Sequence, residues 1–187
     1  MTSAEDSDIS VELLARATRG DIEAFATFVQ SHEPRVASVI GRILDDPRDV
    51  AEATQDAFVQ VWRNLDSFRG DAAVSTWLYR IATNAALMRT RKRSHRLVNL
   101  DDAVGDPALV IDSGDAAGGA TAERVAAVRA ALSRLPADQR AAVVLRDIEG
   151  FSTTEAAQML DIPEPALKTR LHRGRMRLRV LLADRRD

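Results

Sequence analysis

The chain contains no cysteine, which excludes disulfides, thiolate nucleophiles and cysteine-ligated metal centres. Its histidines, His32, His95 and His172, stand far apart and share no metal-ligand spacing. Aromatic residues make up only 4%, which leans a globular chain towards helices. No apolar run approaches the ~18 residues that suggest a membrane span, so no membrane insertion is expected. The first ten residues, MTSAEDSDIS, are acidic and polar, unlike a signal peptide. No nucleophile with its base, and no ligand set, converges in the sequence. An enzyme is therefore the least expected class, with no catalytic residue, cofactor or metal site. These absences point to a cytoplasmic protein of one ordinary domain or two small ones.

What is present is charge, unevenly placed. The formal net charge is only −2, but residues 1 to 60 hold twelve Asp or Glu against five Arg. From Lys168 to Asp187 there are eight Lys or Arg against two Asp. A chain that binds only nucleic acid is usually basic over its whole working surface. This division suggests basic patches for nucleic acid and an acidic half for another partner.

The apolar spacing predicts an all-α fold of two small helical domains joined by a flexible acidic linker. Residues 1–9 read as disordered, with Ser10 capping the first helix. Gly20 stops that helix and Asp21 caps a second. Pro34 opens a third, carrying Val36, Val39, Ile40, Ile43 and Leu44. The next helix runs from about Arg48 to Asn64, with Val50, Ala53, Ala57, Val61 and Leu65 facing a core. Its other side carries Glu52, Gln55, Asp56 and Gln60, either a solvated stripe or a docking face for a basic partner.

A long helix follows a turn-rich stretch at Asp66. Val74, Trp77, Leu78, Ile81 and Ala85 recur at core spacing, and Thr76, Arg80 and Asn84 fall four apart on another face. Beyond them Arg89, Arg91, Lys92, Arg93 and Arg96 form a cluster suited to a phosphate backbone. Residues 97–120 carry five aspartates, no basic residue and Gly and Pro punctuation, the composition of a linker. Domains are thus expected at 10–96 and 121–187.

The second domain ends in a helix-turn-helix pattern. Ser152 and Glu155 make a capping box for TTEAAQML. Asp161 stands in the turn where many such motifs place Gly, and Asp tolerates the left-handed conformation. Lys168, Thr169, His172 and Arg173 then form one exposed strip for base edges. Arg170, Arg175, Arg177 and Arg179 around it suit phosphates. Because Glu164 precedes Pro165, that helix is expected to start slightly late.

Taken together, DVAEATQDAFVQVW, FRGDAAVSTWLYRIATNAA and LPADQRAAVVLRDIEGFSTTEAAQML resemble the extracytoplasmic-function sigma factors of the sigma-70 family. The resemblance covers nearly all of Ser10 to Leu182 except the linker. It implies a dissociable subunit of bacterial core RNA polymerase that selects and melts promoter DNA, often restrained by an anti-sigma factor. It further implies core docking through Glu52, Thr54, Gln55, Asp56 and Trp62. A flipped −10 base would be captured by the segment Phe68, Arg69, Gly70 and Asp71 with Asn84, Phe68 stacking and Asn84 hydrogen-bonding its edge. Readout of the −35 duplex would fall to the second-domain helix, Lys168 to Arg175. Two other classes remain possible from the residues alone. A helix-turn-helix regulator with a helical effector or dimerisation domain would bind duplex stably without polymerase. A helical protein adaptor would show no salt-dependent DNA binding at all.

Overall fold

The computed structural model describes residues 3–68, 73–98 and 120–183, and every regular element among them is helical. A first bundle holds α1 (Ser3–Thr18), α2 (Ile22–Ile43), α3 (Pro47–Arg63), a 3-10 turn (Leu65–Ser67) and α4 (Val74–Val98). A second holds α5 (Ala120–Ser133), α6 (Ala137–Val143), a π-helical turn (Val144–Ile148), α7 (Thr153–Met159) and α8 (Glu164–Ala183). Most of the expected linker, residues 99–119, lies outside the described residues.

α3 starts where Asp46 accepts the Arg48 backbone N–H at 2.9 Å, with Pro47 in the first turn where its missing donor is harmless. All five of its expected core positions, Val50 through Leu65, are buried. α2 departs from expectation by running unbroken through Pro34. An internal proline costs about 3 kcal/mol. Here Phe28 before it and Val36, Val39, Ile40 and Ile43 after it share one buried stripe. Burying each such side chain contributes about 1.5–3 kcal/mol, so packing outweighs the break. In the turn before the proline, the Ser31 hydroxyl donates to the Thr27 and Phe28 carbonyls. α1 also differs: it begins at Ser3, so the stretch expected to be disordered is helical from there on. Ser10 is no cap but lies inside the helix, buried, with Oγ 3.2 Å from His32 Nε2.

α4 is buried on two sides. Val74 and Leu78 are in the core as expected, while Trp77, Ile81 and Ala85 are only half-buried. Tyr79, Ala82, Thr83 and Ala86 are buried instead, because α4 packs against α2 and α3 on one side and against α6 and α7 of the second bundle on another. The Tyr79 ring meets Phe151 edge-on at 5.3 Å. Polar contacts complete this junction. Arg140 of α6 donates to the Ile43 carbonyl at 2.8 Å and to Asp45 Oδ1 at 2.9 Å, and Arg42 pairs with Glu149.

In the second bundle the capping box at α7 is complete, Ser152 and Glu155 each bonding the other's backbone. Hydrogen bonding to the carboxylate, from the Ser152 hydroxyl first and then from the Ser152 backbone N–H, holds the Glu155 carboxyl below its ordinary pKa. Asp161 takes φ +52°, the left-handed turn that the motif needs. α8 does not start late. Glu164 is its first residue, and the Pro163 carbonyl accepts from Ala166 and Leu167 at 2.9 and 3.1 Å. Pro165 thus sits in the first turn, where a helix has no partner for an N–H anyway.

Candidate nucleic-acid and polymerase interfaces

The outward strip of α4 follows from its helical phase. Thr76, Arg80 and Asn84 fall four apart, and Arg91 lies seven beyond Asn84, so all four share one face. Arg80 and Arg91 are exposed; Thr76 and Asn84 are half-buried. The Phe68 ring leans on Trp77, its centroid 5.3 Å away, placing an aromatic pair at the N-terminal end of this strip. Such an edge offers stacking surface beside hydrogen-bonding groups and a cation. Arg69, Gly70 and Asp71 lie outside the described residues.

Arg89 and Arg93 of the basic cluster turn to α3 instead, and the Arg96 side chain lies outside the described residues. Arg89 is on the opposite side of α4, its guanidinium enclosed by three carboxylates of α3. Its Nε lies 3.1 Å from Asp49 Oδ1, Nη1 lies 3.6 Å from Asp56 Oδ2, and Nη2 contacts the Glu52 carboxylate. Arg93 reaches Asp49 Oδ2 at 3.4 Å. The cluster therefore splits into outward Arg91 and Lys92 and inward-paired Arg89, with Arg93 exposed but tied to the same acids. Asp49 was not singled out from the sequence. Its spacing to Glu52 and Asp56, three and seven residues, matched by Arg89 and Arg93 four apart, was the available signal.

On α3, Gln55 and Trp62 are exposed, and Val59 lies between them at 46% exposure. Trp62 meets Phe25 of α2 edge-on at 4.8 Å. The outer surface is thus an apolar ridge of Val59, Trp62 and Phe25 beside an acidic stripe, a pairing that suits a basic, partly apolar partner. Thr54 does not belong to that surface. It is buried and its hydroxyl donates to the Val50 carbonyl at 2.8 Å.

α8 presents the third surface. Lys168, Thr169, His172 and Arg173 are all exposed on its outward side. The Thr169 hydroxyl donates back to the Pro165 carbonyl at 3.0 Å, and Lys168 stands 4.0 Å from Glu164. Two neighbouring arginines are held by α6 and the π-helical turn. Arg170 pairs with Asp138 at 3.5 Å, and Arg175 makes a two-point bond to Asp147 at 2.9 and 2.6 Å, which raises its pKa further. Leu167, Leu171 and Gly174 are buried behind the strip. A Cβ at Gly174 would stand 2.9 Å from Val143 Cγ2, so glycine sets how closely α8 seats on α6. Arg146 and Thr153 line a concavity with Lys168, His172 and Arg175, adding two polar groups that the sequence did not single out. Among the described residues, no group of acids and histidines could hold a metal ion, and no helix is long and apolar enough to cross a membrane.

Comparison with known proteins gives a family for each bundle. Residues 28–96 match the family described as Sigma-70 region 2, and residues 126–178 match Sigma-70, region 4. The ECF RNA polymerase sigma factor SigM of Mycobacterium tuberculosis is 40% identical over 179 residues, covering 92% of this chain and 84% of that protein. Among solved structures, CnrH in complex with the cytosolic domain of CnrY is 27% identical and matches 94% of this chain and 98% of its own, with a TM-score of 0.65. The sigma factor RpoE in complex with the anti-sigma factor NepR from Bartonella quintana is 25% identical over 85% of this chain and 96% of its own, with a TM-score of 0.70.

Proposed function

The chain belongs to the extracytoplasmic-function group of sigma-70 RNA polymerase sigma factors, and from that membership we propose how its surfaces divide the work of promoter recognition. It is an alternative sigma factor that binds core RNA polymerase, recognises −35 and −10 elements and promotes melting for transcription initiation. Matches in both bundles favour this over a helix-turn-helix regulator with an unrelated effector domain, which would share only the second half. An anti-sigma factor is its further partner, by likeness to a relative captured with one.

The division of residues is our reading. Residues 10–96 form the unit for core binding and −10 capture, 97–120 the linker and 121–187 the −35 unit. The outward strip of α4 carries the −10 step: Asn84 reads the edge of an unstacked base, Phe68 and Trp77 supply stacking surface, and Arg80 and Arg91 hold the strand backbone. Arg69, Gly70 and Asp71 keep their expected place in that pocket on the family resemblance alone. Glu52, Gln55, Asp56 and Trp62 dock to core polymerase. Lys168, Thr169, His172 and Arg173 read the −35 duplex, with Arg170 and Arg175 positioned for phosphates.

The chain carries no chemistry in this scheme. It lowers the barrier to opening by binding the melted strand more tightly than the duplex, and polymerase performs catalysis in the bacterial cytoplasm. The observation that carries the assignment is the alignment of Thr76, Arg80, Asn84 and Arg91 on one open strip beside Phe68 and Trp77. Transcription in vitro with core polymerase on a pool of genomic promoters tests it. Promoter-specific transcripts are expected, and Asn84→Ala should reduce them about tenfold or more, since one base-edge contact contributes about 1–3 kcal/mol. Undiminished transcription by Asn84→Ala would remove the assignment.

A further inference from the structure

α8 carries an acid at the end that meets DNA. A helix-turn-helix places the N-terminal residues of its second helix against base edges in the major groove. The first residue of α8 is Glu164. Glu164, Lys168 and His172 are spaced four apart, so they form one row along the helix. A carboxylate in that row is repelled by the phosphates, so it weakens duplex binding unless a base contact offsets it.

The acids around α8 are of two kinds. Asp138 and Asp147 are paired with arginines, Arg170 at 3.5 Å and Arg175 at 2.6 Å. Glu164 is held differently. Its Oε1 accepts from the Thr154 hydroxyl of α7 at 2.6 Å, a neutral donor. Its Oε2 stands 4.0 Å from Lys168 Nζ, outside hydrogen-bond reach, and its side chain is 42% exposed. Glu164 is thus fixed in place by a partner that does not neutralise it, and Oε2 is open to a ligand. Ordering a glutamate on binding costs rotamer freedom, much of which the Thr154 bond has already removed.

The base that suits a carboxylate follows from the groove pattern. Guanine and thymine present acceptors, and the adenine amino group lies beside the N7 acceptor. Cytosine N4 is the donor that Glu and Asp accept from, while guanine acceptors suit Lys168. Four residues of helix rise about 6 Å, or roughly two base pairs at ~3.4 Å each. Glu164 and Lys168 therefore reach pairs that are adjacent or one apart.

We infer that Glu164 is a specificity-determining residue of the −35 contact, accepting from cytosine N4, with Thr154 as the residue that positions its carboxylate. The inference rests on the sigma-factor reading above. An acid that served only the helix dipole would strengthen α8 equally on every sequence. Base reading ties it to one base pair.

Holoenzymes of parent and variant chains, selected on a duplex pool randomised across the −35 element, test this. The parent should favour cytosine about tenfold at one position, one or two pairs from the position that Lys168→Ala relaxes. Glu164→Gln should reduce that preference to about twofold and admit adenine, which glutamine suits. Glu164→Asp, with its shorter reach, should reduce it similarly, and Thr154→Val should reduce it about threefold. In the full chain without polymerase, Glu164→Gln should bind an unrelated duplex about threefold tighter, and Glu164→Asp should bind it as the parent does. No cytosine preference in the parent, an unchanged preference in Glu164→Gln, or a loss equal on all sequences would each overturn the inference. Thr154→Val keeps the acid on α8, so it still reports if Glu164→Gln melts early. Missing promoter-specific transcripts with the parent holoenzyme would remove the sigma reading itself, whereas failure at Glu164 alone leaves parent transcription intact. Duplex binding by the free Glu164→Gln chain that is no tighter than the parent's would overturn the inference with or without polymerase.

Discussion

α4 and α8 are both long helices rich in arginine, yet they hold their cations in different ways. α4 is packed on two sides, so helical phase leaves a narrow outward strip and turns Arg89 into the acids of α3. α8 is seated on one side through Leu167, Leu171 and Gly174 and leaves Lys168, His172 and Arg173 open to solvent. Its Arg170 and Arg175 are fixed by Asp138 and Asp147 at the edge of that open face. The difference fits the two ligands proposed for them. A single strand with a displaced base needs a short, walled strip offering stacking and one or two cations. A duplex groove needs a protruding helix with cations along its length. Composition counts the arginines; phase and packing decide which of them a ligand can reach.

The largest expected effect lies in the seating of α8. Gly174→Val forces methyl groups into Val143 and the Gln139 carbonyl, and should destabilise the second bundle by about 1–3 kcal/mol. Thermal melts together with −35 duplex binding would show this, with capture of −10 single strand preserved. Equal loss of both activities would break the separation of the two surfaces.

A smaller effect separates the arginines of α4. Arg91→Ala should lower the salt dependence of single-strand binding by about 0.7 in log–log slope, the value of one phosphate contact. Arg89→Ala should leave that slope unchanged and cost less than about 1 kcal/mol of stability. A slope change at Arg89 and none at Arg91 would reverse the split.

Within α3 the contrast is finer. Trp62→Ala should weaken copurification with core polymerase, while Thr54→Val should leave it intact and change stability by about 1 kcal/mol or less, because the hydroxyl serves only the Val50 carbonyl. Docking lost in Thr54→Val at unchanged stability would return that residue to the surface.

The smallest effect is a pH dependence confined to the second bundle. Glu155 is held below its ordinary pKa of 4.5, so its capping contribution is fully present above that value. It should fade as pH drops through the lower folded-state pKa, by less than about 1 kcal/mol. Glu155→Gln should flatten the acid limb of the stability profile, and an unchanged limb would argue against the cap.

Much of this architecture was legible in the sequence. The α3 core stripe, the capping box and the left-handed turn at Asp161 each followed from local chemistry that the fold did not override. The misreadings share a cause, which is that non-local packing decided against a local signal. Pro34 breaks a helix on its own, but the apolar stripe continues on both sides of it. Ser10 is a good cap, but it lies within a helix that already began at Ser3. Pro165 suggested a late start, yet it falls where a helix tolerates proline. Periodicity placed Trp77, Ile81 and Ala85 in the core because one-dimensional spacing registers a single partner. α4 has two, which moves burial to Tyr79, Ala82 and Ala86. Arg140 gave no signal, since its partners are backbone carbonyls and an aspartate 95 residues earlier.

The division of labour between α4 and α8 is tested most directly by comparing Asn84→Ala and Lys168→Ala holoenzymes on one promoter, supplied as closed duplex and as a template already melted at −10. Asn84→Ala should be impaired on both, because the unstacked base remains unread. Lys168→Ala should be impaired mainly in capturing the duplex and should recover when the −10 region is pre-melted and polymerase is saturating. Equal defects of the two variants on the pre-melted template would contradict the account.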